Sequence, residues 1–244
     1  MSTDAPMPLV AHLRELRDRF RNALIAVFVA FLGLFPFANE LYTYVSEPLR
    51  SLLPEGSSMI ATEVTSPFLT PFKLSLVLAV FVAMPVILAQ LWGFIAPGLY
   101  KSEKRIAIPL LTSSIVLFYA GVAFAYYVVF PLLFGFFTTV GPGDISVMTD
   151  INRYLDFVLK LFFAFGLAFE VPVAAVILIL TGVVTADQLA NNRSYVVVGC
   201  FVMGMLLTPP DVISQTLLAL PMWLLFEVGL VMGRVLSRSP NEDE

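Results

Sequence analysis

The acidic residues are the side chains of this sequence whose type and position suggest chemistry. Glu15 lies in a basic stretch near the amino terminus, and Glu103 lies in the short basic segment 101–105. The planar guanidinium group of arginine bonds a carboxylate through two parallel hydrogen bonds, so two acids at one surface suit a cationic ligand. The alternative is that both acids are ordinary solvated charges.

Glu170 is a third candidate because it lies within an apolar run. A charge at the centre of a spanning helix costs about 2.5–3.5 kcal/mol on insertion scales, so such a residue faces the bundle interior or a cavity and is a functional candidate. The alternative is a structural contact with polar residues of neighbouring helices, for which the sequence offers Gln90, Thr208 and Gln215. Glu227, near the end of its own segment, is predicted to be structural.

The sequence argues against several kinds of chemistry. One cysteine (Cys200) and one histidine (His12) exclude disulfide frameworks, Cys/His zinc sites and histidine-based triads. No GxSxG, HExxH or phosphate-binding glycine loop occurs. We therefore predict no catalytic residues, no metal site, no cofactor and no enzymatic activity. The net charge of −4 gives no indication of a nucleic-acid partner.

The composition indicates what kind of structure positions these acids. Of 244 residues, 59% are hydrophobic and 13% charged, whereas a soluble domain has about 45–50% apolar and about 25% charged residues. The charged residues are too few to cover a water-facing surface, and the long apolar runs exclude disorder. The sequence therefore predicts an all-α polytopic membrane protein, with one transmembrane domain over 1–236 and a short polar tail over 237–244.

Uncharged runs predict six transmembrane helices. The predicted spans are about 23–38, 72–97, 106–130, 155–182, 195–208 and 212–233. Prolines within the runs predict kinked helices and a concave bundle. The fifth run is about 21 Å long as a helix, against a hydrocarbon core of about 30 Å. We therefore expect the membrane to be deformed near 208–211.

An amphipathic helix over 8–22 is predicted to precede the first span. Its apolar side chains fall on one stripe, formed by Leu9, Leu13, Leu16 and Phe20. Glu15 lies well away from the centre of that stripe, so we expect it to face the cytosol. Glu15–Arg19 and Arg14–Asp18 are spaced as i,i+4 ion pairs.

The distribution of basic residues predicts the orientation, because cytoplasmic loops are enriched in Lys and Arg. Ten of the 14 basic residues lie on the side of the two termini. These are Arg14, Arg17, Arg19, Arg21, Lys101, Lys104, Arg105, Arg193, Arg234 and Arg238. Both termini are therefore predicted to be cytoplasmic.

Five sequence motifs carry a resemblance to a known family. They are 12–17 (HLRELR), 66–68 (SPF), 94–100 (FIAPGLY), 165–172 (FGLAFEVP) and 204–211 (GMLLTPPD). Through them the chain resembles, over nearly its whole length, the TatC family, whose members are the largest membrane subunits of the twin-arginine protein translocase.

The resemblance implies a receptor and core subunit in the bacterial cytoplasmic (inner) membrane. Such a subunit recognises twin-arginine signal peptides together with a TatB-like single-span partner and then recruits a TatA-like one. Folded proteins cross the membrane with proton motive force, and the receptor associates in several copies. The family fold is a glove-like bundle of six helices with short fifth and sixth helices.

The motifs also imply roles for particular residues. Glu15 and Glu103 would receive the arginine pair. The residues expected to line or support this cytoplasmic site are Arg17, Phe94 and Leu99. Pro48 would support a periplasmic cap, and the intramembrane polar residues would be Glu170 and Gln90. The surface where the single-span partners dock would carry Met205, Thr208, Asp211 and Gln215.

Two alternatives remain open from the residues alone. A proton-coupled transporter of small molecules would use Glu170 as its proton carrier, with a substrate cavity at the membrane midplane. Such transporters often contain internal repeats, and the sequence has none. A structural membrane scaffold would have no ligand site at all.

Overall fold

The computed structural model describes residues 9–51, 59–95, 104–140, 149–207 and 212–237, and their side chains from residue 13 onward apart from 95, 104–107 and 137–140. Eleven α-helices are described there, joined in places by a 3₁₀ turn at Phe35–Phe37 and a π turn at Ala125–Val129. The helices are α1 (Leu9–Leu34), α2 (Ala38–Arg50), α3 (Ser66–Val82), α4 (Met84–Ile95), α5 (Lys104–Phe124), α6 (Phe130–Val140), α7 (Ile151–Ala168), α8 (Val171–Leu180), α9 (Ala186–Asn191), α10 (Arg193–Leu207) and α11 (Val212–Ser237).

Among the described residues, four helical stretches are long and apolar enough to cross a membrane: Leu13–Arg50, Ile108–Phe136, Ile151–Leu180 and Val212–Ser237. Helices α3 and α4 form a further span if the pair, which bends by 48°, is counted as one. Helix α10 is apolar but has only 15 residues. These segments are compatible with the predicted six spans in order along the chain.

Helical structure extends beyond two predicted spans. The first was expected to end near residue 38, but α2 continues it to Arg50. Helix α2 carries charges on its outer side and buries Val45, Ser46 and Leu49, so a search for uncharged runs does not detect it. The third predicted span ends near residue 130, whereas α6 continues to Val140.

The bend between α3 and α4 lies two residues before Pro85. Proline has no amide hydrogen, so the carbonyl four residues earlier, that of Phe81, loses its usual helical donor. The hydroxyl of Tyr119 on α5 donates to that carbonyl at 2.9 Å. The bend is therefore stabilised by a side chain of the neighbouring span.

The same arrangement occurs in α2. Pro48 lies inside this helix and leaves the carbonyl of Tyr44 without an amide donor. The hydroxyl of Tyr126 donates to that carbonyl at 3.0 Å, and the rings of Tyr44 and Tyr126 stack with centroids 5.3 Å apart. Helix α2 is thereby attached to the π turn that follows α5.

Aromatic rings form the centre of the core. Phe81, Phe118, Phe130, Phe162 and Phe165 are all buried, and several ring pairs meet edge to face, such as Phe81 and Phe118 at 5.6 Å. Glycine permits the close approach here, because a Cβ at Gly166 would lie 2.7 Å from the ring of Phe118. Helices α5 and α7 therefore pack tightly at this level.

Asp150 fixes the start of α7. One carboxylate oxygen accepts from the amides of Asn152 and Arg153, both at 2.9 Å, as an N-cap does. The other accepts from the amide and hydroxyl of Thr62 at 3.0 and 2.6 Å. These hydrogen bonds, chiefly that from the Thr62 hydroxyl, lower the pKa of Asp150 to about 2. The segment before α3 is thereby joined to the fourth span.

We expect Tyr126→Phe to lower the thermal unfolding midpoint, because the carbonyl of Tyr44 loses its donor, at a cost of about 0.5–1.5 kcal/mol. The loss should shrink in a Pro48→Ala background, where the amide of residue 48 can serve that carbonyl. The measurement is thermal unfolding of the purified protein in detergent. Tyr127→Phe is the control, since its hydroxyl lies 3.4 Å from another hydroxyl. An equal loss in both backgrounds would contradict this account.

Asp150 makes a pH-dependent contribution to stability. Its pKa is lower in the folded protein than in the unfolded chain, so the contribution is complete above about pH 4 and is lost as the pH falls toward 2. Asp150→Asn keeps a capping side chain but cannot ionise. The unfolding midpoint of the wild type should therefore exceed that of Asp150→Asn at pH 7, and the gap should narrow at pH 3. A gap that stays constant over this range would refute the assignment.

Candidate functional site

Glu15 forms an ion pair with Arg19 one turn later on α1. The Nε and Nη2 atoms of Arg19 donate to Oε1 of Glu15 at 2.8 and 2.5 Å. The two side chains are only 25% and 27% exposed, so the pair is partly shielded from solvent. The predicted i,i+4 pair is confirmed, and it holds a guanidinium on the acid that was expected to receive one.

Glycine on α4 provides space for this pair. A Cβ at Gly93 would lie 2.9 Å from Cζ of Arg19, and the three atoms nearest to it all belong to that guanidinium. Phe94, a predicted site residue, follows Gly93 and is half-buried. The Glu15–Arg19 pair therefore lies against the end of the second span, beside one of the residues that the sequence placed in the site.

The apolar stripe of α1 is more exposed than Glu15. The stripe residues Leu13, Leu16 and Phe20 are exposed by 61%, 47% and 64%, whereas Glu15 is half-buried with its Arg19 partner. Helix α1 packs on α3 and α4, and the polar pair fits beside Gly93. The apolar stripe faces outward, as suits a helix surrounded by lipid.

Arg17, another residue of the predicted cytoplasmic site, does not contact the Glu15–Arg19 pair. Arg17 is exposed and bonds Asp18 at 2.9 Å, so it lies apart from the Glu15 pair. Asp18 also contacts Arg21 at 3.4 Å; it was expected to pair with Arg14. Glu103 and Leu99 lie outside the described residues.

Glu170 lies at the break between α7 and α8, one residue before the start of α8 and two before Pro172. Oε2 accepts a hydrogen bond from the hydroxyl of Ser114, a residue of α5 that is 1% exposed. Oε1 is buried and accepts no hydrogen bond from the described residues. The structural alternative named Gln90 and Gln215 as candidate partners, but the partner is Ser114. Gln90 lies half-buried on α4.

The predicted periplasmic residue Pro48 is half-buried in α2. Pro48 frees the carbonyl of Tyr44, which Tyr126 bonds. The next carbonyl, that of Val45, accepts a hydrogen bond from the hydroxyl of Tyr154 at 2.9 Å. Two tyrosines from different spans thus hold the backbone of the turn before Pro48. Helix α2 is thus attached through its main chain.

Two of the predicted partner-docking residues, Met205 and Gln215, lie on α10 and α11. A Cβ at Gly204 would lie 3.2 Å from the carbonyl oxygen of Gln215, so the two helices approach closely there. Met205 is 50% exposed, and Gln215 is half-buried. Thr208 and Asp211 lie outside the described residues.

Ion pairs also join α10 and α9 to α11. Arg193 bonds both carboxylate oxygens of Glu227 at 2.7 and 2.8 Å, a fork geometry that strengthens the pair. Arg234 bonds Asp187 at 3.0 Å. Glu227 therefore has the structural role that the sequence predicted.

Several relatives of known identity resemble this chain. The family model described as "TatC: Sec-independent protein translocase protein (TatC)" matches residues 11–221. A Sec-independent protein translocase protein TatC of Azotobacter chroococcum mcd 1 is 64% identical over 231 residues, covering 95% of this chain and 91% of that protein. The protein of that name from Escherichia coli strain K12 is 54% identical over 245 residues, covering 100% of this chain and 95% of its own length.

Solved structures agree with this relationship. A crystal structure of the twin-arginine translocase receptor TatC matches with a TM-score of 0.83 at 40% identity, covering 93% of this chain and 100% of the other. A second crystal structure of that receptor, in the detergent DDM, matches with the same TM-score at 41% identity.

The fold and these matches define a multi-span membrane component of a protein translocase. The chain belongs to the TatC family. The predicted all-α membrane fold and the family resemblance are confirmed, and the function is that of the Sec-independent, twin-arginine translocase subunit. The small-molecule transporter and the passive scaffold are thereby set aside.

Sequence reasoning missed three residues that hold the candidate sites together. Gly93 seats the Arg19 guanidinium, Ser114 bonds Glu170, and Tyr126 bonds the carbonyl freed by Pro48. Only the last leaves a usable signal, since a proline inside a helix announces a carbonyl in need of a donor.

Ser114→Ala should lower the unfolding midpoint, because it leaves the Glu170 carboxyl without its donor in the bundle interior, at a cost of about 1–3 kcal/mol. Glu170→Met combined with Ser114→Ala replaces both partners with apolar groups and should regain much of the loss. Thermal unfolding of the four forms in detergent gives the coupling energy. Additive losses would show that the hydrogen bond contributes nothing.

Proposed function

We propose that this chain is the signal-peptide receptor of its translocase and that Glu15 and Glu103 bind the consecutive arginines of cargo signal peptides. Phe94 and Leu99 line the same site, and Arg17 supports it. The observation that carries the proposal is the Glu15–Arg19 pair: the acid accepts two hydrogen bonds from a guanidinium in a partly shielded place. A second guanidinium requires a second acid, a role that Glu103 fills in this proposal.

The strength of such contacts suits a receptor. A hydrogen bond to a charged group contributes about 1.5–3 kcal/mol when it is partly shielded. Two of them distinguish an arginine pair from neutral residues and still allow release. No nucleotide or metal is required, and we propose that the chain itself catalyses no reaction.

The proposed partners are TatB-like and TatA-like single-span proteins. They dock on the surface formed by Met205, Thr208, Asp211 and Gln215. Exposed apolar side chains of α10, among them Met205 and Leu206, support this proposal because they suit contact with another membrane helix. Self-association into a multi-copy receptor completes the assembly.

The membrane setting follows from the charge distribution. We propose the bacterial cytoplasmic membrane, with both termini in the cytoplasm, one domain over 1–236 and a polar tail over 237–244. Helix α10, at about 22 Å, is shorter than the hydrocarbon core and supports local thinning of the bilayer. Proton motive force drives transport, and the buried carboxyl of Glu170 is the group within the membrane suited to respond to it.

Peptide binding tests the central claim. Glu15→Gln removes the negative charge at nearly constant shape, so a labelled twin-arginine signal peptide should bind the purified chain in detergent about tenfold or more weakly. Glu103→Gln should act similarly. Fluorescence anisotropy gives the Kd.

Glu40→Gln is the matched control, because Glu40 is exposed in the first turn of α2, outside the proposed site. A peptide with two glutamines in place of the arginines sets the background. Wild-type affinity in both Glu15→Gln and Glu103→Gln would refute the proposed site.

A further inference from the structure

The carboxylate proposed to receive a signal-peptide arginine already holds an arginine of its own chain. Arg19 presents to Glu15 the same chemical group that the peptide would present. The pair is not a loose surface contact, since Arg19 is 27% exposed whereas Arg17 is 70% exposed. A peptide arginine that binds Glu15 in this mode must therefore meet or replace Arg19.

The hydrogen bonds leave this pair open to replacement. Both donors of Arg19 reach the same oxygen, Oε1, instead of one donor reaching each oxygen as in the strongest arginine–carboxylate geometry. Within the described part of the chain, Oε2 takes part in no hydrogen bond. An arginine that engages both oxygens makes the better pair and is able to displace Arg19.

Two other arginines of α1 are paired with a different acid. Arg17 and Arg21 both contact Asp18, at 2.9 and 3.4 Å. Arg19 lies against α4, where the missing side chain of Gly93 leaves room for its guanidinium. Sequence spacing makes the pair feasible, and Gly93 gives it a defined seat.

We propose that Arg19 is a tethered competitor for the peptide's arginine. It occupies Glu15 in the unloaded receptor and leaves when a twin-arginine peptide binds, and Gly93 sets how strongly it competes. This inference rests on the proposed peptide site. As a consequence, Arg19 shields the Glu15 carboxylate from isolated cations until a peptide arginine that bonds both of its oxygens binds.

The competition has a measurable size. Because the peptide binds only receptors in which Glu15 is free, its apparent Kd is its intrinsic Kd divided by the fraction of such receptors. An exposed i,i+4 pair would occupy the site only weakly, and the partial shielding of this pair strengthens it. Removing Arg19 should therefore tighten peptide binding by about threefold to tenfold.

The test compares four forms of the full chain in detergent, each titrated with the labelled twin-arginine peptide. Arg19→Gln removes the competitor. Gly93→Ala keeps every charge but places a methyl group where the guanidinium lies, so it should also tighten binding. Arg21→Gln is the matched control: it removes one positive charge from the same helix without touching Glu15 and should stay within about twofold of the wild type.

Tighter binding in Arg19→Gln and Gly93→Ala, with Arg21→Gln unchanged, supports the inference. Unchanged or weaker binding in Arg19→Gln overturns it, since Arg19 would then be neutral or would position Glu15 for the peptide. An equal gain in Arg21→Gln also overturns it, because the effect would be bulk charge. A wild type that binds the twin-arginine and twin-glutamine peptides equally overturns the proposed function itself, which is a separate result from the other two.

Discussion

The backbone carbonyls that proline deprives of a donor impose the constraint on which much of this structure depends. A carbonyl that loses its helical donor takes another partner, and in the hydrocarbon interior, where no water is available, that partner must belong to the protein. Two of them do so through one stretch of the third span, where Tyr119 bonds the carbonyl of Phe81 and Tyr126 bonds that of Tyr44. The third span thereby holds both the bend of the second span and the helix after the first. Helix α4, which begins at that bend, packs on α1 and carries Gly93, the seat of Arg19.

The polar groups of the bundle follow one pattern. Glu15 is held by a residue on its own helix and seated by α4, Glu170 is held by α5, and Asp150 is held by the segment before α3. Asp150 and Glu170 join segments that are distant in the sequence, and the Glu15–Arg19 pair lies where α1 packs on α4. The acids differ in what they leave available: Asp150 accepts four hydrogen bonds, whereas Glu15 and Glu170 each keep one oxygen without a hydrogen bond among the described residues. Asp150 is therefore structural, whereas Glu15 and Glu170 retain an oxygen that can accept a further hydrogen bond.

Composition and apolar runs were sufficient for the class of fold, because the membrane restricts a chain to spanning helices. They were insufficient for α2, whose buried face is interrupted by charges, and for the side of α1 that packs on the protein. A helical wheel identifies an apolar side without saying whether lipid or protein covers it, and for Leu13, Leu16 and Phe20 it is not protein. The acids were identifiable from their positions, but their partners were not. Ser114 and Gly93 carry no chemical signal of their own, and only the three-dimensional fold brings them to Glu170 and Arg19.

The π turn at Ala125–Val129 has a consequence for how this chain tolerates changes of length. Phe118 and Phe130 are twelve residues apart, which in an uninterrupted α-helix would place them about 120° apart, yet both are fully buried. The wide turn takes up one extra residue, so the two halves of the span behave as if eleven residues separated these rings, about 20° apart. Removing one residue within the turn would thus convert it to ordinary helix and keep both rings inside. Removing one residue elsewhere in the span would rotate one half by about 100° and turn its aromatic face to the lipid.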